Sequence, residues 1–466
     1  MNINPSIFKA YDMRGLYPKD INEENIEAIV RAIYTFFVKD LGKDNLQIVL
    51  GRDMRISSPA LYEKAVNTLV KSGAQVVGID LATTPTIYYA TLKYGYDAGI
   101  QISASHNPKD YNGLKFVKRV GKKLIKIGKT TGMEDVKNFA LSGNFVEYKD
   151  GGSFTEKTNV LKEEVEDAMA AVQPQHIKRM KIVADAANAM GSLYIKELAK
   201  HLPIDLIEMN FELDGTFPAH QADPLQFKLL RDLQDRVIAE KADLGLAPDG
   251  DGDRIFFINE KGEVVPATLI TSLITKQVLE KNPKEKILVD IRYTRNVTNV
   301  AKKFNSTPSI SKVGHALITE QLNREEGAFA GESSGHFYFR EMGGCESAIR
   351  VILYVLEAVG KEGKPLSEVL ESLHTSIESG EYNFELKEGT SAKELLQQIA
   401  DTYKDGELST LDGIAIDYPD WRVNIRTSNT EPLLRLNVEG ATLELTDAKL
   451  KELATMIKAT GATPME

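Results

Sequence analysis

The chain has 466 residues, 57 Lys and Arg against 67 Asp and Glu, and a formal charge of −10. That length exceeds what one hydrophobic core holds and implies roughly three or four domains. The acidic balance argues against nucleic acid or an anionic membrane as the main partner. The single cysteine, Cys345, excludes an internal disulfide framework and any multi-cysteine metal site.

Met1 to Tyr11 lacks the basic and apolar regions of a signal peptide, and no run approaches the ~18 apolar residues of a membrane span, so a cytoplasmic protein is expected. Helical periodicity over Asn25–Asp40 precedes an apolar β-like run, Gln47–Leu50, that ends near Asp53, and Ser58–Lys71 is again helical. Two arginine-bearing segments flank these elements, Tyr11-Asp12-Met13-Arg14-Gly15 and Gly51-Arg52-Asp53-Met54-Arg55. Gly99 to Ile102 reads as a buried strand running into Ser105-His106-Asn107-Pro108, and Pro108 biases Asn107 away from helix. A polar turn without chemistry is the plain reading of that stretch. A serine hydrolase is a poor alternative, because Ser105 lacks a G-x-S-x-G elbow.

After Gly151-Gly152-Ser153, which reads as a linker, the pattern repeats. Helical periodicity over Lys162–Val172 is followed by the strand Lys181–Ala184 ending at Asp185 and by a helix over Leu193–His201. Between the apolar runs Leu244–Ala247 and Ile255–Ile258 lies Pro248-Asp249-Gly250-Asp251-Gly252-Asp253-Arg254. Three carboxylates so close repel one another unless a cation neutralises them, and all-oxygen ligation favours a hard ion, Mg²⁺ or Ca²⁺. An EF-hand would place Asp249, Asp251, Asp253 and Glu260 at ligand positions. However, Arg254 occupies the position that needs glycine, and a strand precedes the loop where a helix is required. An unliganded acidic turn stays open beside the favoured Mg²⁺.

A third round begins with the helix Ala267–Glu280 and the strand Lys286–Val289, ending at Asp290. Gly331-Glu332-Ser333-Ser334-Gly335-His336 lies between the strand-like runs Ala328–Ala330 and Phe337–Phe339. Its acceptors and donors suit a polyol such as a sugar ring, although such a loop is also an ordinary turn. A helix over Ala348–Gly360 leads into a linker-like stretch to Pro365. Beyond it, Trp421–Arg426 and Leu434–Val438 alternate with period two, like one-sided antiparallel strands. Arg426-Thr427-Ser428-Asn429-Thr430-Glu431-Pro432, followed by Arg435, concentrates guanidinium, hydroxyl and backbone donors as in an anion cradle; a surface turn is the alternative. The expected fold class is α/β: three related α/β domains with mainly parallel mixed sheets over 1–150, 151–254 and 255–367, and a smaller C-terminal α+β domain over 368–466.

Ser105-His106-Asn107-Pro108, the triple-Asp loop, G-E-S-S-G-H and R-T-S-N-T-E-P occur in that order, one per expected domain. With Tyr11–Gly15, Gly51–Arg55, Asp214-Gly215-Thr216-Phe217-Pro218 and Gly314-His315, the whole chain resembles the α-D-phosphohexomutase family. The resemblance implies an active site in a central cleft and reversible transfer of phosphate between the 1- and 6-positions of a hexose. Ser105 would be the phosphoserine, a hexose 1,6-bisphosphate the intermediate and activator, and Mg²⁺ the ion held by Ser105, Asp249, Asp251 and Asp253. It further implies that Arg14 and Lys115 flank the transferring phosphate, that His106 orients the serine loop, and that His315 stands near the sugar. Arg254, Arg292, Glu332, Ser334 and His336 would contact the sugar, and Arg426, Ser428, Asn429, Thr430 and Arg435 the distal phosphate.

Tyr111-Asn112-Gly113 and Ser428-Asn429-Thr430 are similar to phosphomannomutase/phosphoglucomutase enzymes, whereas phosphoglucosamine mutases usually have Asp-Asn-Gly and Ser-Gly-Thr. Two stretches depart from the family pattern: Pro218 to Pro224 is looser than usual, and Arg292 stands where many relatives have lysine. The expected partners are hexose phosphates, with no nucleic acid or membrane, in a monomer or homodimer. A phosphoglucosamine mutase and a calcium-binding or sugar-phosphate-sensing protein are the alternatives.

Overall fold

The computed structural model describes residues 3–387, 389–428 and 433–465. Four sheets organise them. In the first, Gln47–Arg52 pairs in parallel with Gln75–Leu81 and Ala98–Ile102. Tyr111–Val120 then runs antiparallel to Ala98–Ile102 and carries Met13–Leu16 and Lys123–Lys126 on its far side. The second sheet has the parallel strands Ile204–Met209, Met180–Asp185 and Leu244–Pro248, followed by antiparallel Ile255–Asn259 and Val264–Val265. The third has parallel Ser309–Ser311, Ile287–Asp290 and Phe329–Gly331, then antiparallel Phe337–Phe339 and Cys345–Glu346. The wiring is the same each time. A parallel strand delivers the chain to one end of the sheet, a polar loop turns it, and an antiparallel strand brings it back. The loop thus stands at the carboxyl end of a parallel strand, where open α/β sheets bind ligands.

The fully buried strands lack alternation because helices cover both faces. Ala98–Ile102, Leu244–Pro248, Ile255–Asn259 and Ile287–Asp290 are buried at every position. The expected helices form with ends shifted by a few residues: Ile26–Leu41, Ser58–Lys71, Val160–Val172, Gly191–Ala199, Ala267–Lys281 and Ala348–Glu362. The fourth sheet is antiparallel, with Trp421–Thr427 central between Ile414–Asp417 and Leu433–Gly440.

The sheets part from the expected domain boundaries. Ser153–Glu156 pairs in parallel with Gln75–Leu81, so the first sheet continues past residue 150. Gly151-Gly152-Ser153 is not a free linker, because a Cβ on Gly152 would lie 2.0 Å from the Val70 carbonyl oxygen. Ile255–Asn259 belongs to the second sheet, so the triple-Asp loop is the tip of a hairpin within one domain and not the border between two. The Gly360 stretch is the end of a helix packed on the loop at His176, since a Cβ on Gly360 would lie 1.9 Å from the His176 carbonyl oxygen.

The second and third sheets share one continuous apolar core, which also takes in Val49, Ala82 and Ile87 from the first domain. The first domain has a further core of its own beneath the helix Ile26–Leu41. The C-terminal sheet has a separate core around Trp421, Val423, Leu436 and Leu453. It docks on the third domain through the small apolar cluster of Ile291, Val313 and Ala415 and through polar groups. Glu439, fully buried, accepts from the backbone N–H of Thr294 at 2.7 Å and of Arg295 at 3.1 Å, at the start of the helix Arg295–Lys302. Arg422 returns the contact by donating to the carbonyls of Ile291 at 2.6 Å and Arg292 at 3.2 Å.

Trp421, the only tryptophan of the chain, lies in the C-terminal core and reports on it. Glu439→Ala removes a charged acceptor from two backbone donors and is expected to lower stability by about 1.5–3 kcal/mol. The check is urea unfolding followed by Trp421 fluorescence. The Trp421 midpoint should fall, and an unchanged midpoint would show that the docking does not depend on Glu439.

Candidate active site

The serine loop follows from how Ala98–Ile102 ends. Ser105 holds φ 52°, a left-handed conformation that costs a non-glycine residue energy and persists only when its surroundings impose it. Arg55 imposes it. The guanidinium is fully buried, pairs with Asp53 at 3.1 Å, and donates to the carbonyls of Ser105 at 2.8 Å, Asn107 at 2.6 Å, Pro108 at 2.7 Å and Tyr111 at 3.0 Å. The D-G-T-F-P segment packs beneath: the Arg55 guanidinium lies over the Phe217 ring, and Gly215 admits the backbone of Met54 to Ile56. Ser105 Oγ donates to Asp249 Oδ2 at 3.1 Å, so the first and second domains meet at this bond. Glycine at 250 permits the approach, since a Cβ there would lie 2.2 Å from the Ser105 carbonyl oxygen.

Asp249, Asp251 and Asp253 are buried, with ligand oxygens all within 4.8 Å of one another. Lys115 Nζ bridges Asp251 Oδ2 and Asp253 Oδ2 at 2.6 Å each. Burial pulls the Lys115 ammonium down, but those two carboxylates outweigh it and hold the group above its ordinary range. Burial, reinforced by Asp253 and Asp251, pushes the Asp249 carboxyl well above the usual carboxylate range, which marks incomplete compensation. Asp251 Oδ1 is buried without a hydrogen-bond partner among the described residues. An all-oxygen set with an orphaned oxygen and a suppressed carboxylate fits a hard divalent cation. The flanking elements are strands, not helices, which removes the EF-hand alternative.

Arg254 ties three loops together. Its N–H donates to Asp249 Oδ1 at 3.2 Å, Nη2 lies 3.1 Å from His106 Nδ1, and Nε lies 3.4 Å from His336 Nε2. His106 faces Ser105 Oγ at 3.3 Å through Nδ1, and burial with the Arg254, Arg14 and Lys115 charges holds it well below the usual imidazole value. Gln221, within the looser segment before Pro224, donates to the His106 carbonyl at 2.7 Å. Arg14 pairs with Asp12 at 2.8 Å and donates to the Asn107 side chain.

In the third domain, Glu332 accepts from Tyr338 Oη at 2.7 Å and Arg292 Nη2 at 3.2 Å. His336 lies between Asp253 at 3.3 Å and Glu332 at 3.1 Å, with Ser334 Oγ 3.0 Å from its Nδ1. Burial opposes protonation of His336, but Asp253 and Glu332 prevail and raise it to about 9. Asp290 fixes this loop by accepting from the N–H and Oγ of Ser333, both at 2.6 Å, and from Arg292 Nε at 2.9 Å. His315 begins the helix His315–Glu325 after Gly314, whose φ of 129° and contact with the Tyr11 ring leave no room for a side chain.

In the C-terminal domain, Arg426 and Arg435 are direct cross-strand partners. Glu381 accepts from Arg435 at 2.9 Å and Arg426 at 3.3 Å, and lies 3.8 Å from Arg292 of the third domain. Ser428 N–H donates to the Leu433 carbonyl at 2.8 Å and closes the hairpin. Asn429 and Thr430 lie outside the described residues. The structure thus brings Ser105, Arg14, His106, Lys115, the three aspartates, Arg254 and His336 into one cluster, joined through Glu332 and Arg292 to the Arg426–Arg435 pair. Sequence reasoning passed over Arg55, Asp290, Tyr338 and Glu381. Arg55 and Asp290 were at least signalled, by an arginine-rich segment and by an Asp ending a strand; Tyr338 and Glu381 had no local signal.

Family models for phosphoglucomutase/phosphomannomutase match along the chain: α/β/α domain I over 5–132, domain II over 162–262, domain III over 267–376 and the C-terminal domain over 381–458. A phosphomannomutase from Vibrio cholerae is 35% identical over 461 residues, covering 97% of this chain and 98% of its own. The crystal structure of a phosphoglucomutase/phosphomannomutase family protein from Burkholderia thailandensis superposes with a TM-score of 0.88 at 29% identity, covering 99% of this chain and 98% of that one. An Aspergillus fumigatus N-acetylphosphoglucosamine mutase, solved with GlcNAc-6P and magnesium, shares the fold with a TM-score of 0.62 at 14% identity, over 99% of this chain and 96% of that one.

Arg55→Lys keeps the charge beside Asp53 but has no planar fork to reach four carbonyls. A serine loop released by about 1 Å is expected to lose on the order of a hundredfold in turnover, with thermal unfolding close to that of the parent chain. Arg55→Ala also strands the buried Asp53 and should cost about 3–5 kcal/mol, read by the same unfolding curve. Full activity in Arg55→Lys would remove Arg55 from the loop's support.

Proposed function

Because the chain belongs to the phosphoglucomutase/phosphomannomutase family of phosphohexomutases, we propose that it interconverts glucose and mannose 1- and 6-phosphates with Ser105 as the carrier of the transferred phosphoryl group. The observation that supports this best is the 3.1 Å bond from Ser105 Oγ to Asp249, in a cluster that Glu332, Arg292 and Glu381 link to the Arg426–Arg435 pair. A hydroxyl facing a carboxylate cluster at one end and paired guanidiniums at the other suits a small molecule bearing phosphate at either end.

In the first half of the cycle the bond from phosphorus to Ser105 Oγ breaks as the free sugar hydroxyl oxygen bonds to phosphorus. The hydroxyl gives up its proton, the released Ser105 Oγ takes one up, and a hexose 1,6-bisphosphate forms. In the second half the bisphosphate, turned end for end, returns its other phosphoryl group to Ser105 Oγ, which gives up its proton as the sugar oxygen released takes one up. Atoms and charge balance over the cycle. Such transfers need positioning and charge neutralisation more than covalent chemistry. Lys115 and Arg14 supply fixed cations beside Ser105, and His106 orients its loop. Mg²⁺ held by Asp249, Asp251, Asp253 and an oxygen of phosphorylated Ser105 would neutralise charge on the transferring group. Glu332, Ser334, His336, Arg254 and Arg292 grip the sugar, and Arg426, Ser428, Asn429, Thr430 and Arg435 the phosphate that is not reacting. Tyr111 and Asn429 favour glucose and mannose over glucosamine phosphate. We take the compartment to be the cytoplasm.

A coupled assay with mannose, glucose and glucosamine 1-phosphates tests the reaction. Turnover is expected with the first two, to be lost in chelator, and to be absent in Ser105→Ala, which should also take up no phosphate by peptide mass after incubation with a hexose 1,6-bisphosphate. Normal turnover in Ser105→Ala would overturn the carrier role.

The end-for-end turn requires one cradle to accept either phosphate. Arg426→Ala is therefore expected to weaken the 1-phosphate and the 6-phosphate alike. Loss of a charged donor, about 1.5–3 kcal/mol, corresponds to roughly ten- to more than a hundredfold in affinity. Calorimetry with each monophosphate measures both, and a loss confined to one isomer would contradict a shared cradle.

A further inference from the structure

Lys126 ends the short strand Lys123–Lys126 and is buried, yet none of the roles assigned so far uses it. Its ammonium pairs with the buried carboxylate of Glu346. The rings of Tyr88 and Tyr338 stand 5.0 and 5.3 Å away, and the Tyr338 hydroxyl donates to Glu332. Nζ also approaches Nδ1 of His315 at 3.4 Å. An ammonium has three donors and no acceptor, so the ring nitrogen that faces it presents its lone pair. The proton of the neutral imidazole then resides on Nε2.

We propose that Lys126 is a positioning residue that donates to Nδ1 of His315 and so fixes this imidazole in its Nε2–H form, as a hydrogen-bond donor toward the bound hexose phosphate and not as the proton acceptor. The surroundings of His315 favour the same state. Burial, then the charges of Lys126, Lys115 and His336, hold it well below the usual imidazole value against the opposing pull of Asp253. Its ring is set between those of Tyr11 at 5.4 Å and His336 at 6.1 Å. Through Tyr338, the residue that sets the His315 tautomer also touches the group that holds Glu332. The inference rests on the proposed function only in taking His315 to face the sugar.

The test is nitrogen-15 NMR of histidine-labelled full-length protein without substrate. His315 should show the Nε2–H pattern and no titration between about pH 5.5 and 8. Lys126→Met removes the donor and the like charge, and is expected to give mixed tautomers with a midpoint raised by about one pH unit or more. That variant leaves Glu346 as an uncompensated buried charge, so the double variant Lys126→Met/Glu346→Gln provides the same readout without it. Lys126→Arg, again a donor without an acceptor, should restore the Nε2–H pattern. An Nδ1–H signal in the parent protein, or an unchanged His315 in both methionine variants, overturns the proposal. The readout needs no turnover, so failure of the mutase assay would count against the proposed reaction alone.

Discussion

Three carboxylates on alternate residues of one buried turn set the terms for everything around them. At ~5 Å and an effective dielectric near 20, each pair repels by about 3 kcal/mol. The turn itself offers only Arg254 in compensation. The remaining cations come from elsewhere in the chain: Lys115 and Arg14 from the first domain, His336 from the third. Closing three domains around Asp249, Asp251 and Asp253 is thus an electrostatic necessity as much as an apolar one. The same convergence leaves Ser105 against Asp249, because the strand that bears Lys115 is paired with the strand that leads to Ser105.

The repeated wiring makes that convergence possible. Each α/β domain turns its chain at the carboxyl end of a parallel strand and brings it back antiparallel, which gives a loop with two fixed ends. Rigid ends matter because Ser105 has to be held at positive φ, and because Gly250 lets the Ser105 backbone approach more closely than a side chain would allow. The shared core of the second and third domains keeps two of the loops in fixed relation, while the C-terminal domain keeps its own core and joins the third through polar bonds and the small apolar cluster of Ile291, Val313 and Ala415.

The order of the elements was legible in the sequence. Apolar runs ending at Asp53, Asp185 and Asp290, the period-two strands around Trp421, and four polar loops in series led to the right class of fold. Signals of this kind are local and survive without coordinates. The boundaries were not legible, because glycine-rich stretches look alike whether they link domains or pack tightly: Gly152 and Gly360 press against Val70 and His176. The acidic loop seemed to close one domain, since nothing local reveals that Ile255–Asn259 pairs backward with Leu244–Pro248. The supporting side chains were hidden for the same reason. Arg55 acts on carbonyls some fifty residues away, Lys126 pairs with a carboxylate in another domain, and Glu381 is one glutamate in an acidic chain until the fold sets it among arginines.

That last arrangement has a thermodynamic consequence. Arg426 and Arg435 face each other directly across two strands, a like-charge placement that is unfavourable by itself, and Glu381 bonds to both while Arg292 stands close by. The cradle therefore already contains an anion, one belonging to the chain. Under the proposed function, an arriving phosphate would compete with a tethered carboxylate, so that its binding would exchange one anion for another instead of filling an empty site. In the proposed cycle the strength of this internal competitor would then set how readily a bisphosphate lets go and turns.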